Sequence, residues 1–165
     1  MKNLKKVITN IGIIIAGILT YVFMGCANLS SNTGDFNLYD SMKEGIQESN
    51  PLISATGFNL TVVAGYFLAI FAGIMILVAI VNLLCNLKVI KNAKVAKILG
   101  AVNVIVTIIA AIAAILALIG CAVYISDMKA GDYVSIGWAA ILNLIIGVLA
   151  AICGMINVAS TKKSK

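Results

Sequence analysis

A chain of 165 residues that is 62% hydrophobic and 11% charged carries more apolar side chain than its own core could hide from water, which excludes an ordinary soluble domain. Its formal charge is +6 and it has no histidine, so His-ligated zinc catalysis and His-activated nucleophiles are excluded too. The six acids all fall in polar connections rather than in a dry site, so neither enzymatic activity nor a cofactor or metal is expected.

Four apolar runs, Val7–Gly25, Phe58–Leu84, Ile98–Ile125 and Ile136–Ala159, contain no Asp, Glu, Lys or Arg. Uncharged apolar runs of about 18 residues or more are transmembrane helix candidates. The expected fold class is therefore all-α. It is a single integral membrane domain, residues 1–165, built as an antiparallel four-helix transmembrane bundle with outer loops 26–57 and 126–135 and a cytoplasmic loop 85–97.

The first run follows a basic start, Lys2, Lys5 and Lys6, and ends just before Cys26. Two readings stand. One is a permanent helix. The other is a lipoprotein signal cleaved before Cys26, whose thiol would carry lipid; Gly25 suits such a site, whereas Phe23 and Met24 match it poorly. The permanent helix is preferred, and both readings leave Ala27 on the outer side.

In the first outer loop, Phe36, Tyr39, Met42 and Ile46 recur at steps of three and four among Asp40, Lys43, Glu44 and Gln47. That pattern fits a short amphipathic helix on the outer membrane surface, capped by Asp35 and ended by Asn50-Pro51. An irregular loop with apolar anchors is the alternative, because Gly45 interrupts the pattern.

The second run places Gly65, Ala69 and Gly73 four apart, and Gly65, Ala72, Ala79 and Asn82 on a second seam. Small residues at such spacing let another helix come close. The basic stretch Asn86–Lys97 follows, with Lys88, Lys91, Lys94 and Lys97 spaced by three. Together with Lys2, Lys5, Lys6, Lys162, Lys163 and Lys165 it gathers ten of the twelve basic residues on one side. All six acids, Asp35, Asp40, Glu44, Glu48, Asp127 and Asp132, fall on the other side with Lys43 and Lys129. The positive-inside bias makes the lysine side cytoplasmic, with both ends of the chain there. Lys88, Lys91, Lys94 and Lys97 are candidate contacts to anionic lipid. Nucleic acid is not an expected partner, since no aromatic residues interleave with these lysines. All twelve basic residues are lysine, which with abundant Ile and Asn suggests an AT-rich bacterial genome and hence a bacterial plasma membrane.

The third run carries a heptad seam of small and polar residues, Gly100, Asn103, Thr107, Ala110, Ala114, Ala117 and Cys121, and the fourth repeats it with Ala140, Asn143, Gly147, Ala150, Gly154 and Asn157. Such seams mark helix–helix contacts in a left-handed bundle. Counting inward from the lysine side puts Asn10, Asn82, Asn103 and Asn157 within about two turns of that face. They form a candidate polar layer: interhelical hydrogen-bond glue on the plainer reading, a vestibule or ligand site on the sharper one. Cys26 and Cys121 lie at comparable depth near the outer face, where a disulfide and two separate packing residues are alternatives.

Motifs set the chain apart from three four-helix membrane families. It lacks the first-helix Glu of small multidrug-resistance exporters, the Cys-Cys-Gly of tetraspanins, and the outer Trp and Cys pair of claudins; Trp138 opens the fourth run as an interface anchor. The expected function is association with another membrane protein or with a second copy of itself. The alternatives are a small permease or pore subunit using the asparagine layer, and immunity to a membrane-active peptide.

Overall fold

The computed structural model describes residues 2–31, 34–46, 55–127, 129, 131 and 133–162. It is mostly helical. In chain order the elements are α1 (Lys2–Met24), β1 (Leu29–Ser31), β2 (Gly34–Phe36), α2 (Leu38–Glu44), α3 (Ala55–Asn86), α4 (Ala93–Asp127), β3 (Val134–Ile136) and α5 (Trp138–Lys162). Four helices are long and apolar enough to cross a membrane, over Leu4–Met24, Thr56–Asn86, Lys94–Asp127 and Trp138–Ala159.

These four form a closed ring in the order α1, α3, α4, α5, each packed on its two neighbours. Their seams decide how they meet. Every residue of the α4 series from Gly100 to Cys121 and of the α5 series from Ala140 to Asn157 is buried, while Ile105, Ile112, Ile119, Ile141, Ile145 and Ile152 face outward. Small residues inside and branched residues outside reverse the water-soluble pattern, as expected where close backbone approach rather than apolar burial holds helices together. Gly147 brings α5 onto Ala111, and Gly154 brings it onto Val104 and Thr107. Gly120 and Gly57 bring α3 and α4 together near the other end, where a methyl on Gly57 would overlap the backbone of Tyr124.

Both long central helices exceed the apolar runs. At 1.5 Å per residue, α3 is about 48 Å long and α4 about 52 Å, against a hydrocarbon core of about 30 Å. Lys94 and Lys97 therefore lie on the first turns of α4, and only residues 87–92 connect the two helices, a correction to the expected loop 85–97. Asn92 caps α4 by accepting from the amides of Lys94 and Val95, both at 3.1 Å. Lys88 turns the chain with φ of 63°, in the left-handed region.

The opposite end departs furthest from expectation. Parts of the two expected outer loops pair into a three-stranded antiparallel sheet in the order β2-β1-β3, so the fold is not purely helical. Leu29 stands opposite Phe36 and Ile136, and Ser31 opposite Gly34 and Val134. The pairing continues past β1, where the Gly137 amide donates to Asn28 at 2.8 Å and that of Ala139 to Ala27 at 3.2 Å. Gly137 permits this, since a side chain there would overlap the Ala27 carbonyl.

A helix does form in the first connection, with different limits. Asn37, not Asp35, is the cap: its side chain accepts from the Asp40 amide at 3.0 Å. Asp35 is held in β2 opposite Ser30, whose hydroxyl donates to it at 2.5 Å. The helix ends at Gly45, which takes φ of 72° and donates to Ser41; Asn50-Pro51 lies outside the described residues. Phe36 belongs to the sheet and Ile46 is exposed, so the apolar face of α2 is Leu38, Tyr39 and Met42. It is turned onto the bundle. Leu38 is buried with Met24, Ala64, Leu68, Ala113, Ala114 and Ala117, and Met42 fills the space left by Gly65.

Candidate functional site

The four seam asparagines converge on one atom. Asn10 of α1 offers its side-chain oxygen to the amide nitrogens of Asn82 (3.2 Å), Asn103 (3.0 Å) and Asn157 (3.0 Å), one from each other helix of the ring. All four residues are at most 1% exposed. The Asn10 amide donates back to the Lys6 carbonyl at 2.8 Å, and the Asn82 oxygen accepts from Asn86 at 3.3 Å. A carbonyl oxygen has two lone pairs, so three donors crowd this acceptor. Each interhelical bond of this kind contributes about 0.6 kcal/mol in a membrane. Among the described residues the Asn103 oxygen has no partner. The amides are neutral and mostly engaged with one another, so chemically the cluster is a knot between helices.

Lys88, Lys91, Lys94 and Lys97 are all exposed at the same end as this knot, the first two on the connection and the others on α4. Cys26 and Cys121 are free thiols; Cys121 is fully buried, and Cys26 donates to the Val22 carbonyl at 3.4 Å. Among the described residues no three of His, Cys, Asp and Glu gather as metal ligands would.

Sequence reasoning missed the hydrogen bonds by which three tyrosines fix the other end. Tyr39 of α2 donates to the Tyr21 carbonyl at 2.9 Å, Tyr66 of α3 donates to the Met42 carbonyl at 2.9 Å, and Tyr21 of α1 donates to the Ala69 carbonyl of α3 at 2.6 Å. Burial raises the Tyr39 pKa, and the neighbouring Tyr21 raises it further. The only signals were Tyr39 in the apolar pattern of the first outer loop and Tyr21 and Tyr66 in the outer halves of their apolar runs, which also fit simple interfacial anchoring. Trp138 is half exposed and meets Phe23 edge-on at 5.6 Å.

Asn143, on the same seam as Asn157, has no such company. It is 2% exposed, and neither polar atom of its side chain has a hydrogen-bond partner among the described residues. Comparison with protein-family models, characterised proteins and solved structures finds no match to this chain.

Proposed function

We propose that the chain is an integral membrane protein with four spanning helices that works without catalysis, by associating with another membrane component through the cap formed by the sheet and α2. The lysine end faces the cytoplasm, where Lys88, Lys91, Lys94 and Lys97 each gain about 1 kcal/mol from anionic headgroups. The cap then stands on the outer surface of a cell membrane. The observation that supports this reading is how the cap is held: Tyr39 and Tyr66 tie α2 to two different helices, so it is a fixed surface rather than a loose loop. Ordered surfaces bind without first losing conformational freedom. The Asn10 knot favours the same reading over a pore, because amides engaged with one another offer little to a passing solute.

Photo-crosslinking residues placed at Lys43, Ile46 and Tyr133, three exposed positions at the cap end, test it in native membranes. The expected result is an adduct of defined mass from these positions and none from Lys91. Solute flux in reconstituted vesicles, lost on Asn103→Leu and Asn157→Leu with folding intact, would overturn it in favour of a permease.

A further inference from the structure

The sheet has two unlike faces. Ser30, Asp35 and Ser135 alternate onto one of them, and the Asp35 carboxylate is held there by Ser30. Leu29, Ser31, Phe36 and Val134 share the other face. That second face and Asp35 line a cavity of about 440 Å³, closed on the helix side by Phe58 of α3 and Tyr124 of α4, with Glu44 at the end of α2 also lining it. The rings run in series, Phe36 to Phe58 at 6.3 Å and Phe58 to Tyr124 at 6.2 Å between centroids, tilted by 44° and 53°.

We propose that this cavity binds a methylated ammonium group, held by the faces of Phe36, Phe58 and Tyr124 and by the charge of Glu44. Aromatic faces carry negative potential and attract cations, most effectively those with little water to lose. No cationic side chain is among the described lining residues, which favours a cation over an anion there. A primary ammonium has three N–H donors to satisfy. The polar side chains of the described lining residues include the carboxylates of Glu44 and Asp35 and the hydroxyl of Ser31, and the Asp35 carboxylate already accepts from Ser30 at 2.5 Å. A trimethylammonium group has no N–H to satisfy and presents methyls to the rings. This inference rests on the reading of the cap as the partner-facing end, and it names the chemistry of what is recognised there: the headgroup of a choline lipid or a free quaternary amine.

The test uses the full chain in phosphatidylglycerol nanodiscs titrated with tetramethylammonium or methylammonium chloride, binding being read from saturation transfer to the methyl protons. Saturable binding of tetramethylammonium is expected, with methylammonium at least about fivefold weaker. Phe58→Leu and Glu44→Gln should each weaken it about fivefold to tenfold, while Asp40→Asn, a carboxylate of α2 outside the lining, should not. Should Phe58→Leu fail to fold, Glu44→Gln on an exposed residue carries the test. Absence of saturation, an equal response to methylammonium, or an unchanged Glu44→Gln variant would overturn the proposal. Phosphatidylcholine nanodiscs separate the sources: competition supports the lipid headgroup, and unchanged affinity supports the free amine. Failed titration with the crosslinked adduct intact would overturn the cavity alone; loss of the adduct with titration intact would overturn only the partner reading.

Discussion

Tyr21 reaches from α1 to the Ala69 carbonyl of α3 through the gap left by Gly73: a methyl on Gly73 would lie 2.9 Å from the tyrosine hydroxyl. Residue 73 is one turn beyond Ala69, so its side chain governs access to that carbonyl. Alanine favours a helix over glycine by about 1 kcal/mol, and the hydrogen bond contributes about as much. Gly73→Ala is therefore expected to stabilise a Tyr21→Phe protein and to give no gain, or a loss, with Tyr21 present. Unfolding of the four proteins of this cycle should show a coupling of about 1 kcal/mol; additivity within about 0.5 kcal/mol would refute the gap argument.

The asparagines should differ in weight although they are one cluster. Asn10→Leu removes the shared acceptor and strands the buried donors of Asn82 and Asn103, and the expected loss is at least about 2 kcal/mol. Asn157→Leu removes one donor and should cost about 1 kcal/mol or less. Asn103→Leu removes one donor together with an oxygen lacking a partner, and should cost least. Denaturant unfolding in a mild detergent would rank them, and equal losses would mean that the acceptor is not shared.

Asn143 tests the same physics with the opposite sign. A buried amide with no partner is worse than an apolar group of similar shape, by about 1–3 kcal/mol. Asn143→Val should raise the unfolding midpoint, valine being chosen over leucine because the seam is tight. A fall would show that this amide has a structural role.

Tyr39 gives a pH dependence. Its pKa is raised above 10.0 in the folded chain, so the unfolded chain loses this proton first as the pH climbs. The contribution is fully present below the unfolded value of about 10 and is lost as pH rises through the folded value. Tyr39→Phe should remove this alkaline component, which tyrosinate absorbance and unfolding midpoints can follow together.

The helix seams were legible because spacing alone sorts small residues from branched ones, and the buried series in α4 and α5 are the ones the spacing picks out. Helix ends were not, since hydropathy marks where an apolar run stops and not where the backbone stops coiling; Lys94 and Lys97 are helical and merely wet. Three-residue strands such as Leu29–Ser31 give no alternation to read, and one of that strand's two partners, Val134–Ile136, lies about a hundred residues away. The cap of α2 was misplaced because Asp35 and Asn37 can both cap a helix, and pairing with Ser30 decided between them. Counting turns brought the four asparagines to a common depth. It could not say that Asn10 would be the acceptor for the rest, which depends on how the side chains rotate.

The central position of β1 in the sheet also orders the making of the protein. Its hydrogen-bonding edges look toward β2, three residues on, and toward Val134–Ile136. During synthesis the hairpin of β1 and β2 can fold and α2 be laid down early, but one edge of β1 stays open until Val134–Ile136 has been made. Only then do α1 and α5 come to lie side by side and Asn157 reach Asn10, so α5 is the helix that shuts the ring.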